Sequence, residues 1–109
     1  MSPLKDKYIF AVNKVSFDYD DTISTQKGLD LAIEYKNKGA LVYIISARDH
    51  KDKMLPRANK AGILFSRVYA TGSNLAKVEK IKELGINKHY DNNPDIIKEL
   101  GPVGILFKN

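Results

Sequence analysis

The strongest constraint on this chain is an alternation. Short apolar runs recur between segments with helical spacing, and a glycine closes most of the helical segments. Ala40 to Ser46 is an unbroken apolar run, the mark of a strand buried on both faces of a parallel sheet. Tyr8 to Val12 reads as a first strand, Asn13-Lys14 as a tight turn, and Val15 to Asp18 as a second strand. A polar segment, Tyr19 to Lys27, leads into a helix carried by Leu29, Ala32 and Ile33 that runs to about Lys38 and stops at Gly39. A second helix is expected from Lys51 to Ala61, with Pro56 tolerated near its start and Gly62 at its end. Leu64 to Ala70 reads as a strand. Ser73 or Asn74 can cap a third helix with an apolar stripe of Leu75, Val78, Ile81 and Leu84, closed by Gly85. Asn87 to Tyr90 is a short strand ending at Asp91. Asn93-Pro94 opens a short helix that ends at Gly101-Pro102, and Val103 to Phe107 is the last strand.

Strands alternating with helices imply βαβ units. The expected fold is α/β, a three-layer α/β/α Rossmann-like, mostly parallel sheet. A length of 109 residues suits one domain over residues 1–109 and leaves no room for an inserted cap domain. The chain has no cysteine, which excludes disulfides, cysteine zinc sites and cysteine nucleophiles. No apolar run approaches the ~20 residues of a membrane span, and Met1 to Tyr8 lacks the apolar core of a secretory signal. A cytoplasmic protein without a membrane partner is therefore expected. The net charge of +5 suits phosphorylated metabolites or nucleic acid without selecting either.

In doubly wound sheets, ligands bind outside the carboxyl ends of the strands. At the end of the Val15 strand stands Asp18-Tyr19-Asp20-Asp21-Thr22. At the end of the Ala40 run stands Ser46-Ala47-Arg48. Asp91 ends the Asn87 strand and Asp95 follows, while Lys77 lies at the start of the third helix. Carboxylates, a hydroxyl and a lysine would thus converge on one crevice. Phosphoryl transfer through an aspartate uses such a set. One carboxylate attacks phosphorus, a second moves the proton, and a hydroxyl and a lysine hold the phosphate oxygens. Clustered carboxylates also suit a hard cation such as Mg²⁺.

This pattern resembles the haloacid dehalogenase-like superfamily of aspartate-nucleophile phosphohydrolases. The four motifs are Val15 to Ile23 with its Asp-x-Asp-x-Thr core, Val42 to Ser46, Lys77, and His89 to Asp95. The resemblance runs from about Val15 to Phe107. It implies a Mg²⁺-dependent phosphatase acting through a phosphoaspartate at Asp18, with Asp20 as general acid and base. Thr22, Ser46 and Lys77 would form the phosphate-binding group, Thr22 steadying the loop. Asp18, Asp20, Asp91 and Asp95 would form the metal set, Asp20 through its backbone carbonyl and Asp95 as an outer or second ligand. Lys80 is the alternative to Lys77. Two departures stand out. Asp21 occupies the place of the usual glycine, and Asn92 that of a frequent second aspartate. The resemblance is to a capless member, whose open site suits a phosphorylated small molecule or a nucleic-acid end, with a neighbouring subunit able to serve as lid.

Simpler uses exist for several of these residues. Asn93 makes a good helix cap, and Asp95 is favourable in a first helical turn by the dipole alone. Arg48 could reach phosphate or form an ion pair, and His50 and His89 read as surface residues. A non-catalytic phosphate-sensing or receiver-like module is the competing functional class. Such a module normally carries its acceptor aspartate on the central strand, whereas Phe65 to Thr71 has none.

Overall fold

The computed structural model describes residues 13–109. Five strands and four α-helices follow one another. They are β1 (Lys14–Phe17), α1 (Gln26–Asn37), β2 (Leu41–Ser46), α2 (Leu55–Ala61), β3 (Val68–Ala70), α3 (Asn74–Glu83), β4 (Lys88–Asp91), α4 (Pro94–Leu100) and β5 (Gly104–Leu106). The strand expected at Tyr8 to Val12 lies outside the described residues.

All four strand pairings are parallel, in the order β3-β2-β1-β4-β5. The expected "mostly parallel" sheet is wholly parallel among the described strands. The chain winds outward from β1 through β2 to β3, then returns across β1 to β4. The carboxyl ends of β1 and β4 therefore flank the point where the winding reverses, where such sheets place ligands.

β2 defines the three layers through the two-residue period of a strand. Val42 and Ile44 join one core with Leu29 and Ala32 of α1 and Ala58 and Ala61 of α2. Tyr43 and Ile45 join the other with Val78 and Ile81 of α3 and Ile96 and Leu100 of α4. Each face is thus covered by two helices.

The expected helix at Lys51 to Ala61 is split. Asp52–Met54 is a 3-10 turn and the α-helix begins at Leu55, with Pro56 in its first turn, where no intrahelical N–H is needed. The expected strand Leu64 to Ala70 shortens to an edge strand preceded by a 3-10 turn at Phe65–Arg67. Leu64 and Phe65 are exposed, so the apolar run there is surface rather than sheet.

Candidate active site

The loop after β1 builds the first wall of the site. Asp18 continues the strand, its N–H donating to the Tyr90 carbonyl of β4 at 2.9 Å. Residues Tyr19–Ile23 then form a wide turn, closed by Ile23 N–H to the Asp18 carbonyl and Ser24 N–H to the Tyr19 carbonyl. Asp21 adopts φ 57°, ψ 15°, and is the one non-glycine residue with positive φ among the described residues. Left-handed backbone favours glycine, with aspartate among the few side chains that tolerate it. That geometry accounts for Asp21 at a position where glycine is usual in the resembled family. The turn is pressed onto α1. Thr25 caps the helix by accepting from Gly28 N–H, and its hydroxyl donates to the Thr22 carbonyl at 2.6 Å. A Cβ on Gly28 would stand 1.9 Å from that same carbonyl oxygen, so only glycine fits.

The centre of the site is a buried ion cluster. Lys77, on the first turns of α3 behind its Ser73 cap, reaches inward and is 3 % exposed. Its Nζ donates to Asp18 Oδ1 at 3.1 Å and to Asp91 Oδ2 at 2.8 Å. One ammonium thus serves two carboxylates from the two strands at the winding reversal, and the buried cluster keeps one negative charge in excess. Burial and the neighbouring Asp91 push the Asp18 carboxyl up to about 6 despite Lys77. For Asp91, burial also acts upward. It is outweighed by hydrogen bonds from His89 and Lys77 and the Asn93 N–H, so its carboxyl lies below the usual range.

The cleft above this cluster has a volume of about 560 Å³, and Asp18, Asp20, Ser46, Lys77 and Asp91 all line it. Ser46 is buried and its Oγ accepts from the Arg48 N–H at 3.1 Å, leaving the hydroxyl hydrogen free to donate into the cleft. Asp20 stands at the rim in a bidentate pair with Arg48, at 2.9 and 2.6 Å. The guanidinium also lies over the Tyr19 ring, 5.4 Å from its centroid. Hydrogen bonding from Arg48 holds the Asp20 carboxyl below its ordinary range.

Two expected site residues lie elsewhere. Thr22 is fully buried under the loop and off the cleft lining, its hydroxyl without a hydrogen-bond partner among the described residues, so it does not touch the place where phosphate would bind. Asp95 is exposed in the first turn of α4, where Asn93 Oδ1 accepts its N–H. It faces a neighbouring groove with Leu75 and Glu99 instead of the cleft. Lys80 pairs with Glu83 at 2.9 Å on the outer face of α3, away from the carboxylates.

His89 reverses an expectation. It is fully buried, not on the surface, with Nδ1 2.6 Å from Ser16 Oγ and Nε2 2.9 Å from Asp91 Oδ2. Burial first of all depresses its pKa, which keeps the ring neutral. Alternation along a strand could have signalled both residues. Ser16 and His89 stand two positions before Asp18 and Asp91, and so share their faces.

A divalent ion can be tested against these donors. Among the described residues, no three acidic or histidine side chains converge to enclose an ion by themselves. Mg²⁺ needs fewer, because one or two carboxylates suffice when waters and substrate oxygens complete its shell. Asp18 and Asp91 both border the cleft, Asp91 from a fully buried position, their free ligand atoms are all oxygens, and the cluster has negative charge to spare. The residues present fit the ion.

Comparison of the sequence with family models and with curated proteins finds no match. Among solved structures, the chain is similar to a Vibrio cholerae protein to which 3-deoxy-D-manno-octulosonate 8-phosphate phosphatase activity is ascribed. The two share 14 % identity with a TM-score of 0.54, over 93 % of this chain and 69 % of the other. At that identity the likeness is one of fold. The chain has a Rossmann-like, parallel α/β fold, which it shares with that protein. No helix among the described residues is long and apolar enough to cross a membrane.

Proposed function

We propose that this protein is a Mg²⁺-dependent phosphomonoesterase that works through a phosphoaspartate at Asp18. One observation carries the proposal: a buried, ionisable carboxylate at the winding reversal, bonded to an ammonium that it shares with a second carboxylate.

Above about pH 6 Asp18 is ionised and can attack phosphorus. Lys77 has three N–H donors and uses two on carboxylates, so one remains for a phosphate oxygen. The Ser46 hydroxyl donates to another. As the Asp18–phosphorus bond forms, the bond to the leaving oxygen breaks, and Asp20, in the form that has left Arg48 and carries a proton, gives that proton to the oxygen. Asp20 then takes a proton from the water that opens the acyl phosphate, which restores the free carboxylate. Asp18, Asp91 and the Asp20 carbonyl are the groups to hold Mg²⁺, which when bound neutralises phosphate charge.

Asp20 can act only when Arg48 releases it, and an anionic substrate competes for that guanidinium. The same pairing supports a second reading, in which the acid and base group stays withheld and the phosphoaspartate persists as a signal.

The connections after β1 and β2 are short, residues 18–25 and 47–54, and the cleft stays open. We take the protein as capless, acting on a phosphorylated small molecule or a nucleic-acid end, with a second subunit able to cover the site. The test is hydrolysis of 4-nitrophenyl phosphate with Mg²⁺ by wild type and Asp18→Asn. Sugar-acid phosphates, nucleotides and end-phosphorylated oligonucleotides follow as substrates. Turnover lost in the variant is expected, and equal turnover refutes the assignment. Labelling of Asp18 without turnover selects the signalling reading.

A further inference from the structure

The polar chain beneath the cleft reaches deeper than phosphate binding requires. On β2 the side chains facing α3 and α4 are Tyr43 and Ile45, which pack in the core. In the same layer β1 and β4 instead present Ser16 and His89, paired in register and both fully buried. Central parallel strands ordinarily fill such places with apolar branched residues. A buried imidazole and hydroxyl persist there only with their hydrogen bonds made.

Those bonds have a defined direction. An ionised carboxylate only accepts, so His89 Nε2 carries the hydrogen and donates to Asp91 Oδ2. Nδ1 is then the acceptor, and the Ser16 hydroxyl donates to it. Asp91 receives three donors: His89 and Lys77 on Oδ2, and the Asn93 N–H at 3.0 Å on Oδ1. A carboxylate offers about four acceptor positions, so about one is left for the cleft.

We infer that Ser16 and His89 are positioning residues that orient the Asp91 carboxylate and, through the shared Lys77, the Asp18 nucleophile. Neither lines the cleft, so both act through Asp91. Ser16 fixes the tautomer and tilt of the ring. The ring fixes the plane of Asp91, and Asp91 fixes the ammonium that Asp18 also holds. The geometric part stands on the hydrogen bonds alone, while its catalytic consequence rests on the proposed phosphatase reading.

The experiment compares wild type, Ser16→Ala, His89→Gln and His89→Leu. The Lys77 ammonium is followed by ¹⁵N–¹H NMR without metal, Mn²⁺ binding by EPR, and kcat and KM with 4-nitrophenyl phosphate. His89→Gln can still present an N–H to Asp91 and is expected to keep a sharp ammonium signal and most of kcat. His89→Leu is expected to broaden that signal and weaken Mn²⁺ binding or kcat about 10- to 100-fold. KM should change far less than kcat. Ser16→Ala, losing one hydroxyl, is expected to lower kcat about 2- to 10-fold. If His89→Leu does not fold, Ser16→Ala and His89→Gln carry the test. An ammonium signal unchanged in every folded variant overturns the inference whether or not the protein is an enzyme. A wild type that shows the signal but never turns over refutes the phosphatase reading and leaves the inference standing.

Discussion

Asp18→Asn should make this protein more stable at neutral pH while abolishing its proposed chemistry. Wild-type Asp18 is 6 % exposed and shares its one ammonium with Asp91, which leaves its charge under-compensated. Raising its carboxyl from 3.8 to about 6 means that ionisation costs about 3 kcal/mol more in the fold than in the unfolded chain. Asparagine stands in for the protonated carboxyl and can still accept from Lys77. The folded state holds the Asp18 proton longer, so wild-type stability from this group falls as pH rises from about 4 to about 6 and is level above. The gain for the variant should therefore be about 3 kcal/mol at neutral pH and vanish below about pH 4. Urea unfolding of both proteins in EDTA across this range measures it, with equal m values securing the comparison. Taking the difference at each pH cancels the titrations of groups remote from the cluster. A variant no more stable than wild type at neutral pH, or a difference that ignores pH, would refute the argument.

Four further outcomes follow from the same geometry. Mg²⁺ at about 100 times its Kd should raise wild-type stability by ~2.7 kcal/mol and leave Asp18→Asn unmoved, read by thermal shift. Lys77→Met should lose about 3–5 kcal/mol at neutral pH by stranding two buried carboxylates, and urea titrations should show the loss shrinking in acid as Asp18 protonates. Gly28→Ala should cost about 3 kcal/mol or more, because its Cβ would meet backbone, the Thr22 carbonyl, at 1.9 Å. Arg48→Ala removes the group that depresses Asp20, so more of the protein holds Asp20 protonated beside an ionised Asp18, and the plateau of kcat/KM should rise, read from a pH–rate profile.

The fold was legible wherever burial wrote a pattern. The unbroken Ala40 to Ser46 run became β2 at the sheet's interior, and Gly39, Gly62 and Gly85 follow helices with φ of 91°, 72° and 68°. Legibility failed where an apolar run is surface. Leu64 and Phe65 resemble strand residues but lie exposed before β3. Asp18, Ser46, Lys77 and Asp91 were singled out at strand and helix ends, and they share one cleft. Asp95 was drawn in with the acidic cluster of the resembled family, yet the first turn of α4 places it on a neighbouring groove. His89 was misjudged because, with no second histidine at metal-ligand spacing, it read as a surface residue. Its place two residues before Asp91 on one strand, and its register with Ser16 across 73 residues of chain, put it on a buried face. Arg48 was left between two uses that local sequence cannot separate, since its partner Asp20 is 28 residues away.

The strand order also sets when the site can come into being. β1 lies at the centre of the sheet, but one of its neighbours, β4, begins at Lys88. Pairings this distant are slow to close, because the intervening chain must be ordered first. Until β4 docks, β1 has one open edge, and Asp18 has neither the Tyr90 carbonyl for its N–H nor Asp91 to share Lys77. A chain emerging from the ribosome, or one refolding from urea, therefore holds a hydrophobic strand bare on one side for most of its assembly. Competence to bind an ion should appear in a single late step with the last third of the sequence, making the charge cluster a reporter of completed folding.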